Sequence, residues 1–244
     1  MDYERAVDQA PPGWRHFEIK DLERLPPAVR THEIKAVPRS EQLLFEQRDP
    51  RAVERVMRAF FWTLVYHLEP DRWDALAQIE PIHPEVIAAL CDVIASLPAS
   101  APRAIDIGAG SGRLTQHMVG RCGHVIAIEP AAGLRARIKE RFPTVETIAG
   151  WAEALPLADG CSNLTAACSA VGPQPEVLTE LERVTAIGGV MALISPEDPE
   201  WFDAHGWSRF TFPPQAPLDH PAWIEEFFGP LECRRDLFTK RATG

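Results

Sequence analysis

Three closely spaced glycines, Gly108, Gly110 and Gly112, constrain the fold of this chain more than any other feature of the sequence. They follow a short apolar run at 104–107 and precede a stretch of helical character at 114–121. Glycine lets the backbone turn sharply and lets a ligand approach without meeting a Cβ atom. The pattern therefore predicts a strand, a ligand-binding turn and a helix whose first N–H groups face the ligand.

Apolar runs of strand type alternate with helical patterns on both sides of the glycines. The predicted helices are 84–97, 130–141 and 175–186, and the further predicted strands are 124–128, 145–149, 163–168 and 190–194. This alternation predicts βαβ units, and thus a parallel sheet that is covered on both faces. Because such crossovers are right-handed, the predicted fold class is α/β, Rossmann-like and doubly wound, with a mostly parallel sheet.

The first 82 residues lack this alternation and are predicted to form an N-terminal, mainly helical extension. Its strongest element is a helix at 51–68, because Asp49 provides an N-cap and Pro50 a favourable first helical residue. The alternating stretches near Phe17 and Ile34 predict two weak strands. The domain prediction is 1–82 for this arm and helical cap, and 83–244 for a ligand-binding domain with an aromatic insertion at about 196–220.

Composition excludes several function classes. The 244 residues carry a formal net charge of −10, which disfavours nucleic acid as a partner. No apolar run approaches the ~20 residues of a membrane helix, and Met1 is not followed by a signal-peptide pattern, so no membrane association and a cytoplasmic location are predicted. The five cysteines lack CxxC spacing, which predicts neither a disulfide framework nor a metal site.

Two acidic residues accompany the glycines. Asp106 lies two positions before Gly108, and Glu129 ends the next predicted strand. A carboxylate at that strand end can accept hydrogen bonds from both hydroxyls of a ribose. The spacing is Gly-x-Gly-x-Gly, whereas a dinucleotide site favours Gly-x-Gly-x-x-Gly. An acidic pocket suits a ligand with ammonium and sulfonium groups better than one with a pyrophosphate.

Segments 104–115, 125–130 and 150–160 resemble the successive motifs of class I S-adenosylmethionine-dependent methyltransferases, in particular the group of ubiquinone, menaquinone and small-molecule natural-product methyltransferases. The similarity extends over roughly 84–195. It implies S-adenosylmethionine as the cofactor, with Asp106 and the glycines around its methionine part, Glu129 at the ribose, and 151–153 at the adenine. The residues expected to bind the cofactor are Asp106, Gly108, Ala109, Gly110, Gly112, Glu129, Pro130, Trp151, Ala152, Glu153 and Cys168.

The sequence departs from this family pattern at two places. Trp151 stands where many relatives carry Asp, and the indole could stack on the adenine instead. The segment 166–172 lacks the His or Asp often found after the fourth strand, and Asn163 stands where relatives tend to have Asp. The general base therefore cannot be identified from this strand.

Methyl transfer to a small-molecule acceptor is an in-line displacement, so alignment of the reacting atoms can supply most of the acceleration. A base is needed only for a poorly ionised nucleophile. Candidate catalytic bases are His83, His205 and His220. Candidate substrate-binding residues are Phe61, Glu197, Trp201 and Trp207, of which the aromatic ones have core packing as the alternative.

The C-terminal region predicts a helix at 221–228 and one strand at 231–239, although this fold normally ends with an antiparallel pair of strands. The N-terminal arm could complete the edge, the sheet could be short, or a homodimer partner could cover it. The predicted function is methyl transfer to a small molecule in specialised, natural-product metabolism. The alternatives are an enzyme of the same fold that catalyses a non-methylating step such as cyclisation, and a non-catalytic partner subunit.

Overall fold

The computed structural model describes residues 3–80, 82–98, 102–215 and 219–243. The chain forms two compact units, and each is discontinuous in sequence. The first unit is Met1–Leu76 with Asp219–Leu231, and the second is Ala77–Leu218 with Glu232–Gly244. The units thus differ from the predicted domains in placing 219–231 with the N-terminal residues, and the division into domains 1–82 and 83–244 stays a prediction.

The first unit is helical. Its helices, with α7 continuing into the second unit, are α1 (Tyr3–Asp8), a 3-10 helix (Pro12–His16), α2 (Ile19–Arg24), α3 (Pro27–Ile34), α4 (Arg39–Glu46), α5 (Pro50–Ala59), α6 (Phe61–Leu68), α7 (Pro70–Ile79) and α13 (Ala222–Phe228). Asp49 caps α5 as predicted, because its carboxylate accepts the N–H groups of Arg51 and Ala52.

Three local predictions for this unit are wrong. The stretch near Ile34 ends α3, and the stretch at 17–19 leads into α2, whose start is stabilised by the Glu18 N–H donating to Asp21 Oδ2 at 2.8 Å. Short alternating runs are ambiguous, and here the capping contacts favour helices. The predicted helix at 51–68 is two helices, separated at Phe60.

Aromatic side chains form the core of the first unit. Phe61 is fully buried, and its ring centroid lies 6.2 Å from that of Phe17, 5.5 Å from Phe227 and 6.3 Å from Phe228. The last two residues belong to α13. The segment 219–231 therefore supplies part of the core of a unit whose other residues precede it by more than 140 positions.

A seven-stranded sheet forms the centre of the second unit, in the order β3-β2-β1-β4-β5-β7-β6. The strands β1 to β5 are parallel and β7 is antiparallel to both neighbours, which confirms the predicted α/β, mostly parallel fold. The strands are β1 (Arg103–Ile107), β2 (His124–Ile128), β3 (Glu146–Ile148), β4 (Ser162–Cys168), β5 (Thr185–Ile194), β6 (Ser208–Thr211) and β7 (Asp236–Arg241).

Helices cover both faces of this sheet. They are α8 (Pro84–Ala95), α9 (Thr115–Met118), α10 (Ala132–Arg141), α11 (Pro175–Val184) and α12 (Pro199–Ala204). Alternate strand residues point to opposite faces: Ala104 packs with Leu90 of α8 and Met118 of α9, whereas Ile105 packs with Leu181 of α11 and Phe202 of α12. This layering leaves the loops at the carboxyl ends of the strands as the place for a ligand.

The last strand pair comes from an unexpected segment. The antiparallel partner of β7 is β6, which runs from Ser208, paired with Thr239, to Thr211, paired with Asp236. The strand at 208–211 lies inside the predicted aromatic insertion, so the expectation that the N-terminal arm completes the sheet is wrong, and so is that of a short sheet. All four residues of this strand are exposed, Phe210 included, so the alternation of buried and exposed residues that signals a strand is absent.

Candidate functional site

The glycine turn joins β1 to α9, and its three glycines have positive φ angles. The φ angles are +63° at Gly108, +56° at Gly110 and +98° at Gly112, a region that side chains with a Cβ rarely adopt. A Cβ added at Gly108 would also overlap that of Ala170. The turn therefore needs glycine for its own geometry as well as for ligand access. The helix after it is shorter than the predicted 114–121, since α9 spans four residues.

Asp106 lies under this turn on β1 with only 1% of its surface exposed. Its Oδ2 accepts a hydrogen bond from Thr115 Oγ1 at 2.5 Å, while its buried Oδ1 has no partner among the residues that the structure describes. Burial raises the pKa of the Asp106 carboxyl to about 7, although the Thr115 hydroxyl and the Arg113 charge oppose the shift. The Oδ1 atom is therefore able to accept a hydrogen bond from a ligand or from a water molecule.

Glu129 follows β2 and links the glycine turn to the next strand. Its Oε2 accepts the Gly110 N–H at 2.9 Å and its Oε1 the Ala131 N–H at 2.8 Å. Burial raises the pKa of its carboxyl to about 7, and the two N–H donors oppose that rise. Each carboxylate oxygen can accept a further hydrogen bond, so both remain able to bind ligand hydroxyls.

The other residues expected at the cofactor lie in the loops that follow the same strands. Ala109 donates its N–H to the Ile128 carbonyl at 3.1 Å, and Pro130 directly follows Glu129. Trp151 and Ala152 are half-buried and Glu153 is exposed, in the loop that follows β3. The end of β4 carries Cys168, which is buried. The structure thus brings these residues to the carboxyl edge of β1 to β4.

A buried ion cluster that sequence reasoning missed lies beside the turn. Glu80, with 6% of its side chain exposed, accepts from Arg113 at 2.6 Å and from Arg234 at 2.9 Å. Burial opposes ionisation of Glu80, yet the Arg234 and Arg113 charges hold its pKa below the usual range. Arg113 also donates to Cys168 Sγ at 3.8 Å. No sequence pattern connects residues 80, 113 and 234, so nothing in the sequence signalled this cluster.

The three candidate histidines are not brought together. His83 is buried, its Nδ1 accepts the Glu85 N–H at 3.1 Å as the N-cap of α8, and its ring stacks on Phe212. The His205 ring stacks on Trp201 at 3.8 Å between centroids. His220 belongs to the first unit, where its Nε2 lies 3.3 Å from Glu225. A catalytic role for any of the three stays a prediction.

The candidate substrate residues occupy different environments. Phe61 lies inside the aromatic core of the first unit. Trp207 is buried against Phe202 in the core below the sheet. Trp201 is half-buried on α12, and Glu197 follows β5 with its N–H donating to the Val171 carbonyl. Of the four, Trp201 and Glu197 are the two that are only partly buried, and Trp201 also packs against the core.

Across 3–80, 82–98, 102–215 and 219–243, no group of three His, Cys, Asp or Glu side chains is arranged to hold a metal ion. None of the helices in these ranges is long and apolar enough to cross a membrane.

Residues 104–189, which contain the glycine turn, Asp106 and Glu129, match the protein family described as "Methyltransferase domain". This segment is therefore similar to methyltransferase domains, in agreement with the motifs of the sequence. S-adenosylmethionine is the cofactor that the family uses. The match covers the sheet from β1 into β5 and leaves the first unit outside it, so the family assignment concerns the second unit alone.

Similar proteins carry the same family name. An uncharacterised methyltransferase of Mycobacterium tuberculosis is 33% identical over 40% of this chain and 41% of its own length. The demethylmenaquinone methyltransferase of Beutenbergia cavernae is 28% identical over 53% of this chain and 50% of its own. The chain thus spans about half or less of the length of these relatives.

Among solved structures, an S-adenosylmethionine-bound amino pentose methyltransferase of calicheamicin biosynthesis, from Micromonospora echinaspora, is similar with 25% identity. The similarity covers 48% of this chain and 52% of that one, at a TM-score of 0.41.

Proposed function

We propose that the second unit binds S-adenosylmethionine and that the protein transfers its methyl group to a small-molecule acceptor. The observation that carries the proposal is the unpartnered, buried Oδ1 of Asp106 beneath a glycine turn that Glu129 holds in place. A ligand with an ammonium group supplies the missing donor and the missing positive charge together.

The chemistry of the site fits this cofactor. Asp106 would hold the ammonium of the methionine part, and the glycine turn leaves its backbone open to that part of the ligand. Glu129 would accept the ribose hydroxyls, and Trp151 with the Ala152 N–H would bind the adenine. The bound cofactor supplies a methyl group activated by attachment to a sulfonium.

The protein itself would bind and orient the cofactor and would set the protonation state of the Asp106 and Glu129 carboxyls. Asp106 and Glu129 both have a pKa raised to about 7, so each keeps a proton in part of the free protein at neutral pH. A positive ligand favours the ionised form of both groups. The hydrogen bonds from Gly110 and Ala131 fix the Glu129 carboxylate, so binding needs little reorganisation at this point.

A small-molecule acceptor is supported by the acidic charge of the chain and by the demethylmenaquinone methyltransferase among its relatives. A place in specialised metabolism, the cytoplasmic location and a homodimer are further parts of the proposal. Positioning suffices for acceptors that are already nucleophilic, which agrees with a β4 end that carries Cys168 and Ser169 rather than an acid or a histidine.

Calorimetric titration of the full chain with S-adenosylhomocysteine tests the binding step. Binding that weakens strongly in Asp106→Asn and stays unchanged in Asp92→Asn, an exposed acid on α8, is the expected result. No heat and no thermal shift with the wild-type protein would contradict the proposal.

A second candidate function is a non-methylating reaction at the same site. It is favoured by Trp151, which replaces the usual acid of the family, and by the absence of a His or Asp at 166–172. Isotope labelling of the methyl group separates the two candidates. Label in the product supports methyl transfer, and turnover of an acceptor without label in the product supports the alternative.

A further inference from the structure

The first unit contains a pocket of about 380 Å³ that none of the predicted site residues lines. Its walls come from α2, α3, the end of α4 and α5, so it lies within one unit. A volume of this order is typical of sites for small organic molecules. Apolar side chains dominate its surface, among them Leu22, Ile34, Phe45, Val56 and Phe60.

Two arginines, Arg30 and Arg48, also line this pocket. The Arg30 Nε is buried and has no hydrogen-bond partner among the described residues. Neither guanidinium takes part in an ion pair within the described ranges, although the neighbouring Arg55 pairs with two carboxylates. Glu23 is the one acid at the pocket wall, so the charge there is net positive.

The backbone at Arg48 gives an independent indication that its side chain matters. Arg48 follows α4 with a φ of +62°, and the Arg48 and Asp49 N–H groups donate to the carbonyls of Phe45 and Leu44. This is the Schellman pattern of a helix end, in which the residue at the Arg48 position is usually glycine. A side chain in this conformation costs about 1 kcal/mol. Arg48 therefore places a guanidinium at the pocket from a position where glycine would fit the backbone better.

We propose that this pocket binds a small molecule with an apolar body and one anionic group, a carboxylate or sulfonate, which the guanidiniums of Arg30 and Arg48 hold. The apolar wall takes the acyl or aromatic body of the ligand, and the Thr31 hydroxyl offers one further polar contact. Charge-assisted hydrogen bonds to a guanidinium are the strong ones in such sites. The proposal is independent of methyl transfer, because it concerns the first unit alone.

A pair of fluorescent probes with the same rings tests the proposal on the full chain. One is 8-anilinonaphthalene-1-sulfonate, and the other is N-phenyl-1-naphthylamine, which lacks the sulfonate. Arg30→Gln and Arg48→Gly are expected to weaken binding of the sulfonate probe about tenfold each, the effect of one lost charge-assisted hydrogen bond. Both variants are expected to bind the neutral probe within twofold of the wild type.

Arg51→Gln is the matched control, since Arg51 is exposed on α5 and does not line the pocket. It is expected to leave both probes unchanged. Ile34→Trp locates the site, because a larger ring fills the pocket and is expected to weaken both probes. Decanoate should displace the sulfonate probe from the wild type at lower concentration than decanol does.

Three results would overturn the proposal. The first is sulfonate-probe binding within twofold of the wild type in both arginine variants. The second is an equal loss of the neutral probe in those variants, which would show that charge does not select the ligand. The third is Ile34→Trp binding both probes as the wild type does, which would place them elsewhere. Because Arg48→Gly relieves backbone strain, failure to fold cannot explain its loss of binding.

Discussion

The glycine-turn site of the second unit and the apolar pocket of the first unit both hold charged side chains with an unsatisfied buried atom, and the two charges are opposite. Within the part of the chain that the structure describes, Asp106 Oδ1 has no donor and Arg30 Nε has no acceptor. In the Glu80 cluster, by contrast, both oxygens of the buried carboxylate accept hydrogen bonds from guanidinium groups, those of Arg113 and Arg234. A buried carboxylate with both oxygens paired stabilises the fold, whereas an unpaired buried carboxylate oxygen can still bind a ligand.

The largest expected effect is the loss of stability when Glu80, the buried carboxylate with two arginine partners, is replaced. Glu80→Leu removes the carboxylate from between two guanidiniums, so it should lower the free energy of unfolding by about 3 kcal/mol. Urea denaturation measures this change. The matched control is Glu182→Gln, which breaks an exposed pair with Lys240 and should cost less than about 0.5 kcal/mol. Equal effects of the two changes would break the comparison.

Asp106→Asn tests the unpartnered acid and should act on binding instead of stability. The affinity for S-adenosylhomocysteine should fall about tenfold to a hundredfold, because a charged hydrogen bond to the ammonium is lost. At pH 8 the free variant should be no less stable than the wild type, since a buried charge is removed. Methylthioadenosine, which has no amino-acid part, should bind both proteins equally; a comparable loss for this ligand would contradict the assigned contact.

The pH dependence of stability and of cofactor affinity gives a further test of the Asp106 and Glu129 carboxyls. The pKa of Asp106 and of Glu129 is raised to about 7 in the folded protein. Their contribution to stability is therefore greatest below the unfolded pKa of about 4 and is lost as pH rises through about 7. Affinity for S-adenosylhomocysteine should change in the opposite sense, rising on the order of tenfold between pH 5.5 and 7.5.

Calorimetry across this pH range measures the effect. The rise should be smaller in Asp106→Asn, which leaves Glu129 as the one titrating carboxyl of the pair. An affinity that is flat with pH in the wild type would show that neither carboxyl meets the positive part of the ligand.

The smallest expected effect concerns the strained arginine of the pocket. Arg48→Gly should raise the free energy of unfolding by about 0.5 to 1 kcal/mol, because glycine adopts the left-handed conformation without strain. Thermal denaturation against Arg51→Gln as the control measures it. A loss of stability would mean that the Arg48 side chain stabilises the fold, which would contradict the assignment of its guanidinium to the pocket.

The sequence predicted the second unit well because its signals are local. The pattern at 104–129 spans only 26 residues and consists of a strand, three glycines and an acid after the next strand. This spacing predicts the turn that begins at Gly108 and its contact with Glu129. The strand at 208–211 was missed, since its four residues are all exposed and its partner lies about 30 positions later. Alternation of burial, the usual strand signal, is absent there.

The first unit was harder to predict for a different reason. Its helices α2 and α3 have six and eight residues, too few for a helical period to stand out from an alternating one. The pocket and the Glu80 cluster depend on contacts between residues that are distant in sequence, and no spacing rule connects such residues. Arg30 and Arg48 resemble ordinary surface arginines until the fold shows that they share one cavity.

The segment 219–231 has a consequence for synthesis of the protein. The residues of β1 to β6 are synthesised before Phe227 and Phe228. The aromatic core of the first unit contains both of these phenylalanines. Residues 1–76, although made first, cannot complete their core until most of the chain exists. A nascent chain therefore carries Phe61 and Trp62 without the rings of α13 for most of its translation, and the second unit in turn waits for β7, so neither unit is complete until the last residues are made.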